Sequence, residues 1–144
     1  MAERLSVLLL DGSFERAHYA LSMASTAAAL DRPATLFVTL AATRALLSED
    51  SKGRPGWAGL PVSPELGGPD ATDGAALDAR NQARGVAGFE ELLQACVALG
   101  VEVMVCEMGL RALGLEARSL RSDVPFRAGG LATLLGQGGQ IVVL

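Results

Sequence analysis

Cysteine, histidine and charge of one sign are all scarce in this 144-residue chain, and each scarcity removes a class of function. Two cysteines, Cys96 and Cys106, are too few for a disulfide scaffold. With one histidine, His18, and no Cys-x-x-Cys pair, no metal-ligand spacing exists, so no structural zinc site is expected. Sixteen acidic against twelve basic residues give a net charge of −4, scattered rather than blocked. A nucleic-acid partner would need a basic face to neutralise phosphates, and none is present. No apolar run approaches the ~20 residues of a membrane span. The N-terminal stretch Met1 to Leu10 carries an acidic residue and lacks a small-residue cleavage site, so it reads as a first strand rather than a signal peptide. A cytoplasmic protein is expected.

What is abundant is aliphatic. Half of the residues are hydrophobic, few of them aromatic, which suits one core of ordinary size and a single domain over 1–144. Leu5 to Leu10 reads as a strand. Phe14, Ala17, Leu21, Ala24 and Ala28 then recur every three or four residues and mark a helix ending near Leu30. Asp31-Arg32-Pro33 breaks it, Ala34 to Thr39 supplies a second strand, and a short helix is expected over Leu40 to Leu47. From about 48 to 87 the chain is rich in Gly and Pro, lacks periodicity and contains the only tryptophan, Trp57. It reads as an insertion forming a partly ordered surface loop.

Phe89, Leu92, Leu93, Cys96 and Leu99 give the next helical face, stopped by Gly100, and Val101 to Val105 a third strand. A short helix follows Cys106 and closes near Gly114. Val124-Pro125-Phe126 reads as an edge strand, Leu131 to Leu135 as a helix after Gly129-Gly130, and Gln140 to Leu144 as the last strand. Alternating strands and helices predict an α/β fold with a mostly parallel sheet of about five strands covered on both faces, in the flavodoxin-like manner. Three strand ends then share one edge: Leu10 to Ser13, Val38-Thr39 and Val105-Cys106.

Reactive groups in such sheets gather at the carboxyl ends of strands, which singles out Cys106. A helix N-terminus favours thiolate there, whereas the adjacent Glu107 opposes it if its carboxylate turns toward the sulfur. A small buried packing residue is an equally weighted reading. Cys96, on the preceding helix, falls roughly 10 Å or more away, beyond the ~7 Å that a disulfide tolerates, and reads as core. His18 is a candidate general base, though a surface histidine is the stronger reading. Asp11-Gly12-Ser13 resembles a phosphate turn only faintly, lacking the full glycine pattern, and Ser13 serves equally well as a helix cap. Gly129-Gly130 either exposes N–H groups to an anion or permits close packing.

The segment from Leu92 to Gly130 contains a helix, Gly100-Val101, a strand, Cys106-x-Met108, a short helix and then Gly129-Gly130. It resembles the DsrE/DsrF-like family, as does the first half with Ala27-Ala28-Ala29 and Ala34 to Thr39. The resemblance implies small α/β proteins that assemble as trimers or hexamers. Some of them carry sulfur as a cysteine persulfide and pass it on, which would make Cys106 the sulfur-bearing residue. Gly109-Leu110 stand where Ser-Met often follows in that family. The resemblance thus predicts a sulfur carrier or sulfurtransferase with donor and acceptor proteins, working by thiol exchange that requires no metal or organic cofactor. Gly12, Ser13, His18, Thr39, Glu107, Met108, Gly129 and Gly130 are its candidate supporting residues. The alternative is a non-enzymatic ligand- or protein-binding oligomer with Cys106 structural. A peroxide- or disulfide-handling enzyme is weaker, since no resolving cysteine lies near.

Overall fold

The computed structural model describes residues 3–144; Met1 and Ala2, part of the N-terminal stretch considered above, lie outside the described residues. Five strands form one sheet: β1 (Leu5–Leu9), β2 (Ala34–Val38), β3 (Glu102–Cys106), β4 (Phe126–Gly129) and β5 (Gln140–Val143). Their order is β4-β3-β2-β1-β5 and every neighbouring pair is parallel. The central strands are nearly continuous aliphatic runs, as burial on both faces demands; all five residues of β2 are buried.

Local chemistry sets the helices. Helix α1 (Phe14–Ala29) is capped by Ser13, whose hydroxyl accepts the Arg16 N–H at 3.4 Å, and it buries Phe14, Ala17, Leu21 and Ala24 on one stripe. The four-residue α2 (Pro64–Gly67) and α3 (Gly74–Ala83) follow β2. Helix α4 (Phe89–Ala98) begins at Gly88, which has no side chain to cap it. Asp78 of α3 substitutes, its buried carboxylate accepting the Phe89 N–H at 2.8 Å. At the other end Gly100 takes φ +82°, a left-handed conformation that closes the helix.

The path of the chain decides which face each helix covers. From β1 to β4 the strands step in one direction, so right-handed crossovers place these connections on one face. Accordingly α1, α4 and Leu110 of α5 (Glu107–Ala112) share the larger core. The return from β4 to β5 runs the opposite way, and α6 (Leu131–Gly136) lies on the other face, where Leu134 packs with Phe37, Met104 and Cys106. The result is the flavodoxin-like three-layer α/β fold with unequal layers.

Two expectations are corrected. Residues 48–87 are not a partly ordered surface loop: they contain α3, and Trp57, Leu60, Val62, Ala71 and Leu77 are buried in the main core. Trp57 stacks on Phe89 at 5.0 Å and lies 5.9 Å from Phe14, so three of the chain's few aromatics bolt this segment to α1 and α4. Strand β4 is indeed at an edge, but it starts at Phe126 rather than Val124. Val124 is buried in the core and Pro125, which has no N–H to offer a ladder, stays outside it. The expected short helix after β2 is a 3₁₀ helix over Leu40–Leu46.

Candidate functional site

The connections after β1, β2 and β3 lie on one face and the connection after β4 on the other, so the chain diverges between the ends of β3 and β4. In open parallel sheets such a switch point forms the crevice in which ligands bind. Cys106 and Gly129 are opposite each other in register there.

Cys106 is the last residue of β3 and the residue on which α5 begins, with extended backbone (φ −74°, ψ 121°). Its side chain leaves the sheet on the α6 face and is 1% exposed, enclosed with Phe37, Met104 and Leu134. Because α5 has only six residues, any favourable field comes from its first-turn N–H groups rather than from a long dipole. Glu107 is exposed in that first turn, and Met108 is 59% exposed.

Thr39, directly after β2, is 6% exposed, and its hydroxyl has no hydrogen-bond partner among the described residues. Leu40 follows at φ +51°, a conformation that costs a branched residue energy and is held only by its surroundings. Gly109 of α5 explains the close approach. A Cβ there would sit 2.6 Å from both the Thr39 hydroxyl and the Leu40 amide nitrogen, so only glycine lets α5 descend onto the end of β2.

Other candidates are elsewhere. Ser13 caps α1, and its N–H donates to Asp11 at 2.8 Å; hydrogen bonding from Ser13 holds the Asp11 carboxyl below its usual range. Gly12 rests against Ala41. His18 is half-buried on the α1 face, its Nε2 2.8 Å from the Ala87 carbonyl oxygen and its ring against Phe14, across the sheet from the Cys106 side chain. Gly130 begins α6. Cys96 is fully buried in the larger core, donating to the Leu21 carbonyl at 3.5 Å; burial pushes its thiol up to about 11. The sheet therefore separates the two cysteines. Among the described residues no group of three or more His, Cys, Asp or Glu side chains could hold a metal ion.

A cleft of about 490 Å³ opens beside Arg121, but the guanidinium there is already committed to Glu90 and Asp123 and offers little to a ligand. What the sequence reading missed around Cys106 is its enclosure by Phe37, Met104 and Leu134. Period-two alternation from Thr39 to Phe37 and from Cys106 to Met104 contains that information for the strands. The contribution of α6 depends on its packing across the sheet.

Comparison with known proteins agrees with this architecture. The YchN protein from E. coli superposes with a TM-score of 0.57 at 14% identity over 100% of both chains. A protein described as of unknown function, MTH1491 from Methanobacterium thermoautotrophicum, gives 0.52 at 12% identity over 99% of both. At these identities the likeness is one of fold. No curated protein sequence matches the chain. The model of the DsrE/DsrF-like family matches residues 6–144, from within β1 to the last residue, and the chain belongs to that family.

Proposed function

We propose that this protein is a sulfur carrier that holds sulfane sulfur on Cys106 as a persulfide and passes it to a partner thiol, acting as a sulfurtransferase with no bound cofactor. Family membership suggests sulfur relay in general; the observation that carries the specific reading is a cysteine at the switch point of the sheet. The Cys106 thiolate attacks the outer sulfur of a donor persulfide. The new S–S bond forms at Sγ while the donor S–S bond breaks, and the electron pair leaves on the donor's inner sulfur as thiolate. An acceptor thiolate repeats the exchange and regenerates Cys106, with no net oxidant. Thr39, Glu107, Met108, Gly129 and Gly130 border this site; Gly12, Ser13 and His18 act structurally. Free thiols suit the reducing cytoplasm. Copies of the chain assemble through the thinly covered α6 face, as trimers or hexamers.

Burial of Cys106 to 1% exposure favours a second reading, in which it is packing and the protein is a binding module. Intact mass after incubation with a small-molecule persulfide decides between them, with Cys106→Ser and Cys96→Ser in parallel. The carrier reading expects one added sulfur, about 32 Da, lost only in Cys106→Ser. No adduct on a thiol that iodoacetamide still alkylates would overturn it and leave the binding module.

A further inference from the structure

Resting on the sulfur-carrier reading, we infer that Thr39 donates the hydrogen bond that holds the outer sulfur of the Cys106 adduct. The register pairs Val38 with Val105, so Thr39 and Cys106 are next neighbours on strands ~4.8 Å apart. Phe37 and Met104, two residues back on each strand, pack in one cluster with Cys106. Alternation then sends Thr39 and Cys106 off the same face of the sheet.

The hydroxyl is buried with no partner among the described residues, the Cys106 sulfur included. A hydroxyl has one proton to donate, and leaving it unused in the interior costs its desolvation with no return. Ser6 and Thr43 also have unpartnered buried hydroxyls. Ser6 lies near the start of β1 and Thr43 within the 3₁₀ helix, so Thr39 is the one at the end of the strand beside Cys106. Its hydroxyl lies against Gly109, in the first turn of the helix that starts at Cys106.

Adding a sulfur moves the accepting atom outward by one S–S bond, ~2.05 Å, and places the negative charge on the outer atom. The bond that the resting thiol does not make becomes available to the adduct, and a charged acceptor strengthens it. Thr39 thereby favours the loaded state of Cys106 over the empty one.

The test uses the full chain, cysteine persulfide as donor, and the variants Thr39→Val, which keeps the shape without the hydroxyl, and Thr39→Ser, which keeps the hydroxyl. Thr39→Ala against Thr39→Ser supplies the same contrast should valine prevent folding. After donor removal, intact mass follows the lifetime of the adduct, and iodoacetamide trapping gives the pH dependence of its outer sulfur. We expect Thr39→Val to shorten the lifetime about tenfold, the effect of one hydrogen bond to a charged group, and to raise the pH midpoint for trapping. Thr39→Ser restores both. A Thr39→Val protein that keeps its sulfur and its pH midpoint like wild type overturns the assignment alone. A wild-type protein that takes up no sulfur overturns the carrier reading and this inference with it.

Discussion

Arg121 serves two carboxylates with one guanidinium. Its Nη atoms donate to both Glu90 oxygens at 2.5 and 2.8 Å, and its Nε and one Nη donate to Asp123, each at 2.7 Å. Glu90 also accepts from Trp57 Nε1 at 3.0 Å, so this cluster ties the turn before β4 to α4 and to residues 48–87. The Arg121 hydrogen bonds hold the Glu90 and Asp123 carboxyls below their ordinary values of 4.5 and 3.8. A depressed folded-state pKa stabilises the fold above the ordinary value and loses that contribution as pH falls through the depressed one. Both carboxylates are about half exposed, which screens the interaction, so we expect Arg121→Gln to cost only about 1 kcal/mol at pH 7. Urea unfolding of both proteins should show that deficit shrinking below about pH 4 as the carboxyls protonate. A deficit constant with pH would mean that Arg121 acts by packing alone.

Among the elements, α6 covers the Cys106 side chain. Its C-terminal end is pinned: the Gln137 amide donates to Glu102 at 2.9 Å and accepts from the Thr35 hydroxyl at 3.1 Å. At its other end Gly130 provides no side-chain cap, and within the helix Leu134, fully buried, packs with Cys106. Leu134→Ala should therefore cost about 2–4 kcal/mol in stability and speed alkylation of Cys106 in a Cys96→Ser background. An unchanged alkylation rate with that loss of stability would show that Cys106 is reached by another route. Helices α1 and α4 were legible because their apolar residues repeat at helical spacing beside recognisable stops. Residues 48–87 were not, since the inward side of α3 is Gly74, Leu77 and Asp78, which has no apolar periodicity to read. Their order comes from Trp57 stacking on residues far away in sequence. Strand β4 was displaced by two residues because Val124 is buried as a strand residue would be, yet lies outside the ladder.

For the whole molecule, the two faces of the sheet are covered unequally. On the α6 side Leu131, Leu135, Ile141 and Val143 are exposed, an apolar patch that a second copy would cover. We expect the purified protein to self-associate and the double variant Leu135→Lys, Val143→Lys to give a smaller particle by light scattering. A wild-type monomer would contradict this. The sequence by itself determined the alternation of strands and helices, a mostly parallel sheet and the position of Cys106 at a strand end, because hydrophobic period and turn residues are local properties; that every strand pair is parallel came from the structure. Only the tertiary structure decided that Cys106 is enclosed, that the Thr39 hydroxyl at the end of the neighbouring strand is buried without a partner among the described residues, and that the sheet divides Cys106 from His18 and Cys96. Those facts depend on which face each crossover takes and how closely α5 and α6 approach. Such distances are set by packing between residues remote in the chain.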